Sequence, residues 1–96
     1  MSTTQLTVAW EIEQLAREAS KAIRLDQKDT VIELFRKTEL LFIAGSEYTK
    51  SLISNKFIFP ISMFLEINYH FGKSYLDLFP EGLKKEYCRQ IGASGI

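Results

Sequence analysis

The sequence contains one cysteine, Cys88, and one histidine, His70. A single cysteine excludes an internal disulfide and every metal site built from several thiolates. Glu66, four residues before His70, lies on the same helical face, but this pair supplies only two of the three or four ligands that a zinc site needs. We therefore expect no bound metal, and we interpret His70 as a partly buried, hydrogen-bonded residue or as one at a helix end.

Catalytic groups are equally scarce. Cys88 and His70 could be paired as a nucleophile and its base, but a lone cysteine is far more often a small packing residue, and we assign Cys88 that role. The five glycines are isolated from one another, so the chain has no glycine-rich loop for a phosphate group. The sequence thus predicts that the protein is not an enzyme and has no cofactor.

An excess of charge of either sign is also absent, because 12 lysines and arginines balance 12 aspartates and glutamates. Nonspecific nucleic-acid binding normally requires a clustered basic excess. The short cluster of Lys84, Lys85 and Arg89 is typical of a solvated helix face, and no helix carries Arg, Asn and Gln together as a recognition helix would. We expect no direct contact with nucleic acid, and a DNA-binding regulator is the least favoured alternative.

No apolar run is long enough to cross a bilayer. The most apolar stretch, residues 57–71, has Glu66 as its one charged side chain and falls short of the roughly 20 residues of a spanning helix. Residues 1–14 lack the basic start, the apolar run and the cleavage site of a signal peptide. These absences predict a cytoplasmic protein without a membrane partner.

Residues 57–71 form the stretch around which we expect the chain to fold, although their pattern is ambiguous. Every odd position is apolar, which fits a strand, while the same stretch also fits one face of a helix. Because no second alternating segment is present to pair with a strand, we predict a helix, with Phe64 in the core and Gly72 at its end. Pro60 either kinks this helix or occupies its first turn.

The other segments predict further helices within a single domain, residues 1–96. Apolar residues recur at helical spacing over residues 5–25, and the polar residues 25–29 indicate a turn. Further signals mark helix ends: Thr30 with Glu33 as a capping box, Gly45 as a left-handed stop, Ser46 as a cap, Pro80 as a first-turn residue and Gly92 as a stop. The predicted fold is an all-α, compact bundle of four to six short helices, with a central apolar helix around residues 57–71.

Surface acids and tyrosines are the candidates for partner binding. Glu11 and Glu18 lie two turns apart on one face of the first helix. Leu40 and Ile43 widen the apolar face of the second helix, which predicts that this helix is covered on more than one side. The residues that we predict to bind a partner are Glu11, Glu18, Glu33, Glu39, Tyr48 and Tyr75.

Residues 31–91 resemble small all-helical immunity proteins of bacterial contact-dependent and polymorphic toxin systems. The resemblance is carried by a capped apolar helix ending in Gly45, an apolar helix with Phe64, Leu65 and Glu66, and the closing pattern LFPEGLKKEYCRQIG. It implies a non-catalytic protein that neutralises a cognate toxin, such as a nuclease, by binding and occluding it. The alternative is a helical adaptor or a self-associating structural module, and a homodimer is open under either interpretation.

Overall fold

The computed structural model describes residues 3–93. It contains six α-helices and one π-helical turn: α1 (Thr3–Arg24), α2 (Lys28–Ala44), α3 (Glu47–Ile53), the π turn (Ser54–Ile58), α4 (Phe59–Ile67), α5 (Tyr69–Leu76) and α6 (Glu81–Ala93). No strand occurs within this range, which confirms the all-α prediction and excludes the strand interpretation of residues 57–71. No helix within the described range is long and apolar enough to cross a membrane.

Helices α1 and α2 pack against each other along their apolar faces. The apolar residues that α1 and α2 bury are Ile12, Leu15, Ala19, Ala22, Ile23, Val31, Leu34 and Phe35. The spacing of these residues is the helical spacing seen in the sequence, so the predicted first helix is confirmed and the second has the predicted inner face over its first half.

The link between α1 and α2 is shorter than predicted. The N–H groups of Asp26 and Gln27 donate to the carbonyl oxygens of Ile23 and Ala22, and Asp26 has a φ of 55°. This is the Schellman arrangement, in which a left-handed residue closes a helix end. Because the turn is complete at Gln27, α2 begins at Lys28 and the capping box predicted at Thr30 is wrong.

Helix α3, the π turn and α4 form one continuous helical path, so the described residues form five helical segments in space. The backbone is right-handed helical at Ser54, Ile58 and Phe59. Pro60 lacks the N–H that an α-helix would direct to the carbonyl of residue 56, and the turn before it widens so that the Phe59 N–H reaches the Ser54 oxygen. Pro60 therefore occupies the first turn of α4, one of the two predicted alternatives.

The central helix ends earlier than predicted, at Ile67 rather than at residue 71. The side-chain and backbone N–H groups of Asn68 both donate to the Phe64 oxygen, which stops the helix and starts α5. Gly72 does not end the segment, as predicted, but lies buried inside α5. A Cβ atom at Gly72 would lie 2.0 Å from the carbonyl oxygen of Leu65, so glycine allows α5 to cross closely over α4.

Burial within residues 57–71 is one-sided. Phe57, Ile58, Ile61 and Leu65 are buried, whereas Phe59, Met63 and Ile67 are exposed. Phe64, predicted to lie in the core, is only half-buried. An amphipathic helix at the edge of the bundle, rather than a helix buried all round, accounts for both observations.

Gly45 follows the last residue of α2, so the predicted stop is confirmed in position, but its φ of −81° and ψ of 160° are extended rather than left-handed as predicted. The stop predicted at Gly92 is wrong, because α6 continues through Gly92 to Ala93. The cap at Ser46 is confirmed, since its Oγ accepts a 3.3 Å hydrogen bond from the Thr49 N–H. Pro80 directly precedes α6 instead of lying within it, and its carbonyl accepts the first helical bond from the Lys84 N–H.

Aromatic packing joins the helices at the centre of the core. Phe35 of α2 meets Phe57 edge to face at 5.9 Å between ring centroids and lies 4.8 Å from Phe79. A second link is polar, because Glu39 Oε2 accepts a 2.8 Å hydrogen bond from the Gly82 N–H in the first turn of α6. That carboxylate satisfies a helix N-terminal donor and complements the helix dipole.

Candidate partner-binding surface

A groove of about 520 Å³ runs between the outer faces of α1 and α2. The α1–α2 groove is lined by Trp10, Glu11, Gln14, Leu15, Glu18, Lys37, Leu40 and Leu41. Leu15 belongs to the core, so the floor of the groove is apolar and the walls are formed by exposed side chains. It is an open surface, suited to receiving side chains from another protein rather than enclosing a substrate.

The apolar walls of the groove follow from helix geometry. Residues 40–43 are four consecutive apolar residues, and at about 100° per residue they cannot all face the core. Phe42 turns toward the core, while Leu40 is 63% exposed and Ile43 is 62% exposed. The predicted cover over Leu40 and Ile43 is therefore absent from the described part of the chain, and Leu40 contributes to the groove instead.

Trp10 lines the groove but was not among the residues predicted to bind a partner. It is the one tryptophan of the chain, and it is 61% exposed at the end of the groove. Its position could have been read from the sequence, because Trp10, Gln14 and Glu18 recur at four-residue intervals beside the buried stripe of α1. A tryptophan on the polar side of an amphipathic helix is typical of an interface, where its area and its indole N–H both find partners.

Charge in the groove is divided between its walls. Glu11 and Glu18 lie on the α1 wall, and Lys37 lies on the α2 wall. All three residues are exposed, so their charges are available to a partner and are screened by salt. The arrangement suits a partner that presents apolar side chains to the floor and cations along the α1 wall.

The other residues that we predicted to bind a partner lie apart from Glu11 and Glu18. Glu33 is exposed on α2, four residues before Lys37, whereas half-buried Glu39 is engaged with the Gly82 N–H. Tyr48 is half-buried on α3 and does not line the groove. The structure thus brings Glu11 and Glu18 together as predicted and gives Glu39 a role within the fold.

Tyr75 was predicted to bind a partner, but it is 1% exposed and belongs to the core. Its hydroxyl donates to the Asp26 carboxylate, which gives the buried phenol the polar partner that it needs. Burial, with the adjacent Asp26 charge, raises the pKa of Tyr75 to about 12. Tyr75 is therefore removed from the set of partner-binding residues.

The polar groups near α6 pair with one another. The Tyr87 hydroxyl donates a hydrogen bond to Glu66 at 2.8 Å. Burial of the phenol, as the largest cause, and then this hydrogen bond raise the pKa of Tyr87 to about 12. Glu86 accepts hydrogen bonds from Arg89 and Ser54, and the bond from Arg89 is the main cause of its lowered pKa. These pairs connect α6 to the central helical path.

His70 and Cys88, the two residues considered above as catalytic groups or metal ligands, are both exposed. His70 lies at the second position of α5, close to the helix end where one of the predicted alternatives put it. Cys88 is exposed on α6, so its predicted role as a packing residue is wrong. Within residues 3–93, no three His, Cys, Asp or Glu side chains are grouped in a way that could hold a metal ion.

Comparison of the chain with curated proteins and with solved structures found no match. One family model matches, and it covers residues 3–93, nearly the whole chain. The matched range includes all six helices and the α1–α2 groove. The chain therefore belongs to the family described as Domain of unknown function (DUF7674).

Proposed function

We propose that this protein is a non-catalytic binding protein whose α1–α2 groove receives a basic, apolar-tipped segment of a protein partner. The exposure of Trp10 beside Leu40 and Leu41 carries this proposal. Exposure of large apolar side chains to water is unfavourable. A partner that covers them therefore contributes about 25 cal/mol of favourable free energy for each Å² of apolar surface buried.

The chemistry of the groove defines the partner. Trp10 supplies an anchor of the residue type that most often dominates binding energy. Glu11 and Glu18 favour lysine or arginine on the partner and increase the rate of encounter with a basic surface. Lys37, across the groove, fixes the orientation because it disfavours a second row of cations on that side.

We further propose that the partner is a cognate bacterial toxin and that the protein acts in the cytoplasm as its immunity protein. The support is the resemblance carried by residues 31–91, together with a surface that can bind without doing chemistry. Occlusion of an active site needs about 800 Å² of surface on each partner and a few well-packed anchors. A nuclease toxin has a basic substrate-binding face, which complements Glu11 and Glu18.

The first experiment is calorimetry and binding kinetics against the protein encoded by the gene adjacent to that of this chain. Glu11→Lys and Glu18→Lys should each slow association several-fold at low salt, and the effect should shrink as salt rises. Trp10→Ala should instead speed dissociation by about 30-fold, the size of a typical hot spot. Failure to form a complex tighter than about 1 μM, a ΔG of about −8 kcal/mol, contradicts the proposal for that partner.

Glu13→Lys is the matched control. Glu13 is exposed on α1 and carries the same charge, but it lines a different surface, next to Arg17 and Lys56. The control should bind within about twofold of wild type, as expected for a charge outside the interface. If Glu13→Lys slows association as much as Glu11→Lys, overall charge is responsible and the assigned face is wrong.

An activity assay separates the immunity protein from the helical adaptor. Titration of the partner's toxic activity should end at one equivalent of this protein, and Trp10→Ala should shift the inhibition curve to higher concentration by the factor measured for binding. An adaptor would bind with the same affinity and leave the partner active.

A further inference from the structure

The walls of the α1–α2 groove are both helical, and this limits the kind of segment that the groove can receive. Residues 10–18 lie inside α1, and residues 37–41 lie in α2. Within a helix, the backbone N–H and C=O groups bond to one another, so such walls offer little to the backbone of a partner. Among the lining residues, Trp10 and Gln14 are the only neutral ones that carry a polar side-chain group.

An extended segment would fit this surface poorly. It would bury unpaired backbone N–H and C=O groups over an apolar floor, which is unfavourable, whereas a helix bonds these groups internally. Addition of a partner strand requires the edge of a sheet, and residues 3–93 contain no strand. The groove therefore favours a helical occupant.

Glu11 and Glu18 define where the cations of such a helix lie. They are seven residues apart on α1, which corresponds to a rise of about 10.5 Å along the helix axis. Neither carboxylate forms a hydrogen bond or an ion pair with the part of the chain that the structure describes. A second helix lying along α1 repeats this rise, so cations seven residues apart reach both acids. Side chains on one face of an extended segment are about 6.8 Å or 13.6 Å apart and match the spacing less well.

Given the proposed function, on which this step rests, we propose that the occupant of the α1–α2 groove is an amphipathic α-helix of the partner. It carries lysine or arginine at positions i and i+7, which pair with Glu11 and Glu18, and an apolar stripe that covers Trp10 and Leu41. Both ion pairs form together only if the helix lies nearly along α1, at an angle of about 20° between helix axes. Lys37 on the opposite wall favours an acidic or neutral residue on the other flank.

Synthetic peptides of about 18 residues, long enough to form a helix in part, test this occupant directly. The first peptide has a leucine stripe with two lysines seven residues apart beside it. The second has the same composition with its lysines five residues apart, which at about 100° per residue puts them on different faces. The third is the first peptide with a central proline, which breaks the helix.

Calorimetry and circular dichroism of each mixture give the affinity and the helix content. The first peptide should bind wild type and gain helix on binding. The third should bind at least about tenfold more weakly, because an interior proline removes a helical bond and clashes with the preceding turn. The second should bind about threefold more weakly, as expected for exposed ion pairs. Equal binding of the first and third peptides, binding without a gain of helix, or no binding of the first peptide overturns the proposal.

Substitutions in this protein test the spacing of the charges. Glu18→Lys should abolish the preference for the first peptide over the second, because one of the two paired carboxylates is then missing. Glu13→Lys should retain the preference, since Glu13 lines a different surface. Loss of the preference in both variants, or its absence in wild type, overturns the proposed pairing and the proposal with it.

The peptide results are separable from the test of the proposed function. If the first peptide binds as a helix and the adjacent-gene product does not bind, the helical occupant is supported and the choice of that product as the partner fails. If the adjacent-gene product binds through Trp10 while no peptide binds, the groove receives a segment of another structure. The proposed function then stands and the helical occupant is overturned.

Discussion

The Tyr75 hydroxyl on α5 donates a hydrogen bond to the carboxylate of Asp26, the left-handed residue that closes α1. The two residues are 49 positions apart in the chain, so the hydrogen bond joins the turn between α1 and α2 to the C-terminal half of the chain. The Lys28 ammonium lies 5.8 Å from the centroid of the Tyr75 ring and adds a cation–π contact. Asp26 therefore has two roles, as a helix stop and as an acceptor.

Removal of this bond should destabilise the protein. We expect Tyr75→Phe to lower the free energy of unfolding by about 1–2 kcal/mol, since the bond has a charged acceptor but Asp26 regains water when it is lost. Urea denaturation followed by circular dichroism measures the change. Tyr48→Phe, at a half-buried tyrosine, is the control and should change stability by less than about 0.5 kcal/mol. Equal losses in both variants contradict a special role for the Tyr75 bond.

Stability should also fall in alkali. The pKa of Tyr75 is raised from 10.0 to about 12, so above pH 10 the unfolded chain loses the phenolic proton while the folded chain retains it. The free energy of unfolding therefore falls as the pH rises from 10 toward 12 and levels off above the folded pKa. Tyr87 contributes in the same direction. The difference in stability between wild type and Tyr75→Phe should shrink over this range, and a constant difference contradicts the prediction.

Two glycines inside helices should respond oppositely to alanine. Gly72→Ala would force a Cβ against the Leu65 carbonyl oxygen, and we expect a loss of at least about 1–3 kcal/mol. Gly92 has no heavy atom within 4 Å of an added Cβ, so Gly92→Ala should gain up to about 1 kcal/mol from helix propensity. Thermal unfolding of both variants checks the pair. Stabilisation by Gly72→Ala would mean that α5 does not cross α4 as described.

The two phenylalanines of the central segment should differ in importance. Phe57 is fully buried against Phe35, and Phe57→Ala should cost about 3–5 kcal/mol. Phe64 is half-buried, so Phe64→Ala should cost clearly less, by at least about 1 kcal/mol, than Phe57→Ala. Denaturant midpoints measured under the same conditions give the order. The reverse order would place Phe64 rather than Phe57 at the centre of the core.

Helix type and inner faces could be predicted from the sequence because they depend on periodicity. The helix ends could not, because they depend on contacts distant in sequence or on competing local signals. The capping box at Thr30 was superseded by the turn at Asp26, which Tyr75 supports from α5. Gly72 was predicted to end a helix, but it instead allows a close backbone contact with Leu65, which depends on how α5 packs on α4.

The candidate site was predictable in part. Glu11 and Glu18 share a helix face by spacing alone, and the structure puts them in one groove. The four apolar residues at positions 40–43 could have indicated an exposed apolar surface, since a helix cannot bury them all. Tyr75 could not be sorted from the surface tyrosines, because its burial depends on where α5 packs. The acceptor for its hydroxyl lies in a distant turn.

The central claim, that a partner occupies the α1–α2 groove, is tested most directly through Trp10, the one tryptophan of the chain. Incorporation of 5-fluorotryptophan into this protein alone gives a single fluorine NMR signal, whatever tryptophans the partner contains. Addition of the adjacent-gene product should shift this signal and reduce its solvent isotope effect, because the exposed indole becomes buried. A stoichiometric complex, confirmed by calorimetry, in which the signal and its solvent exposure stay unchanged would contradict the account.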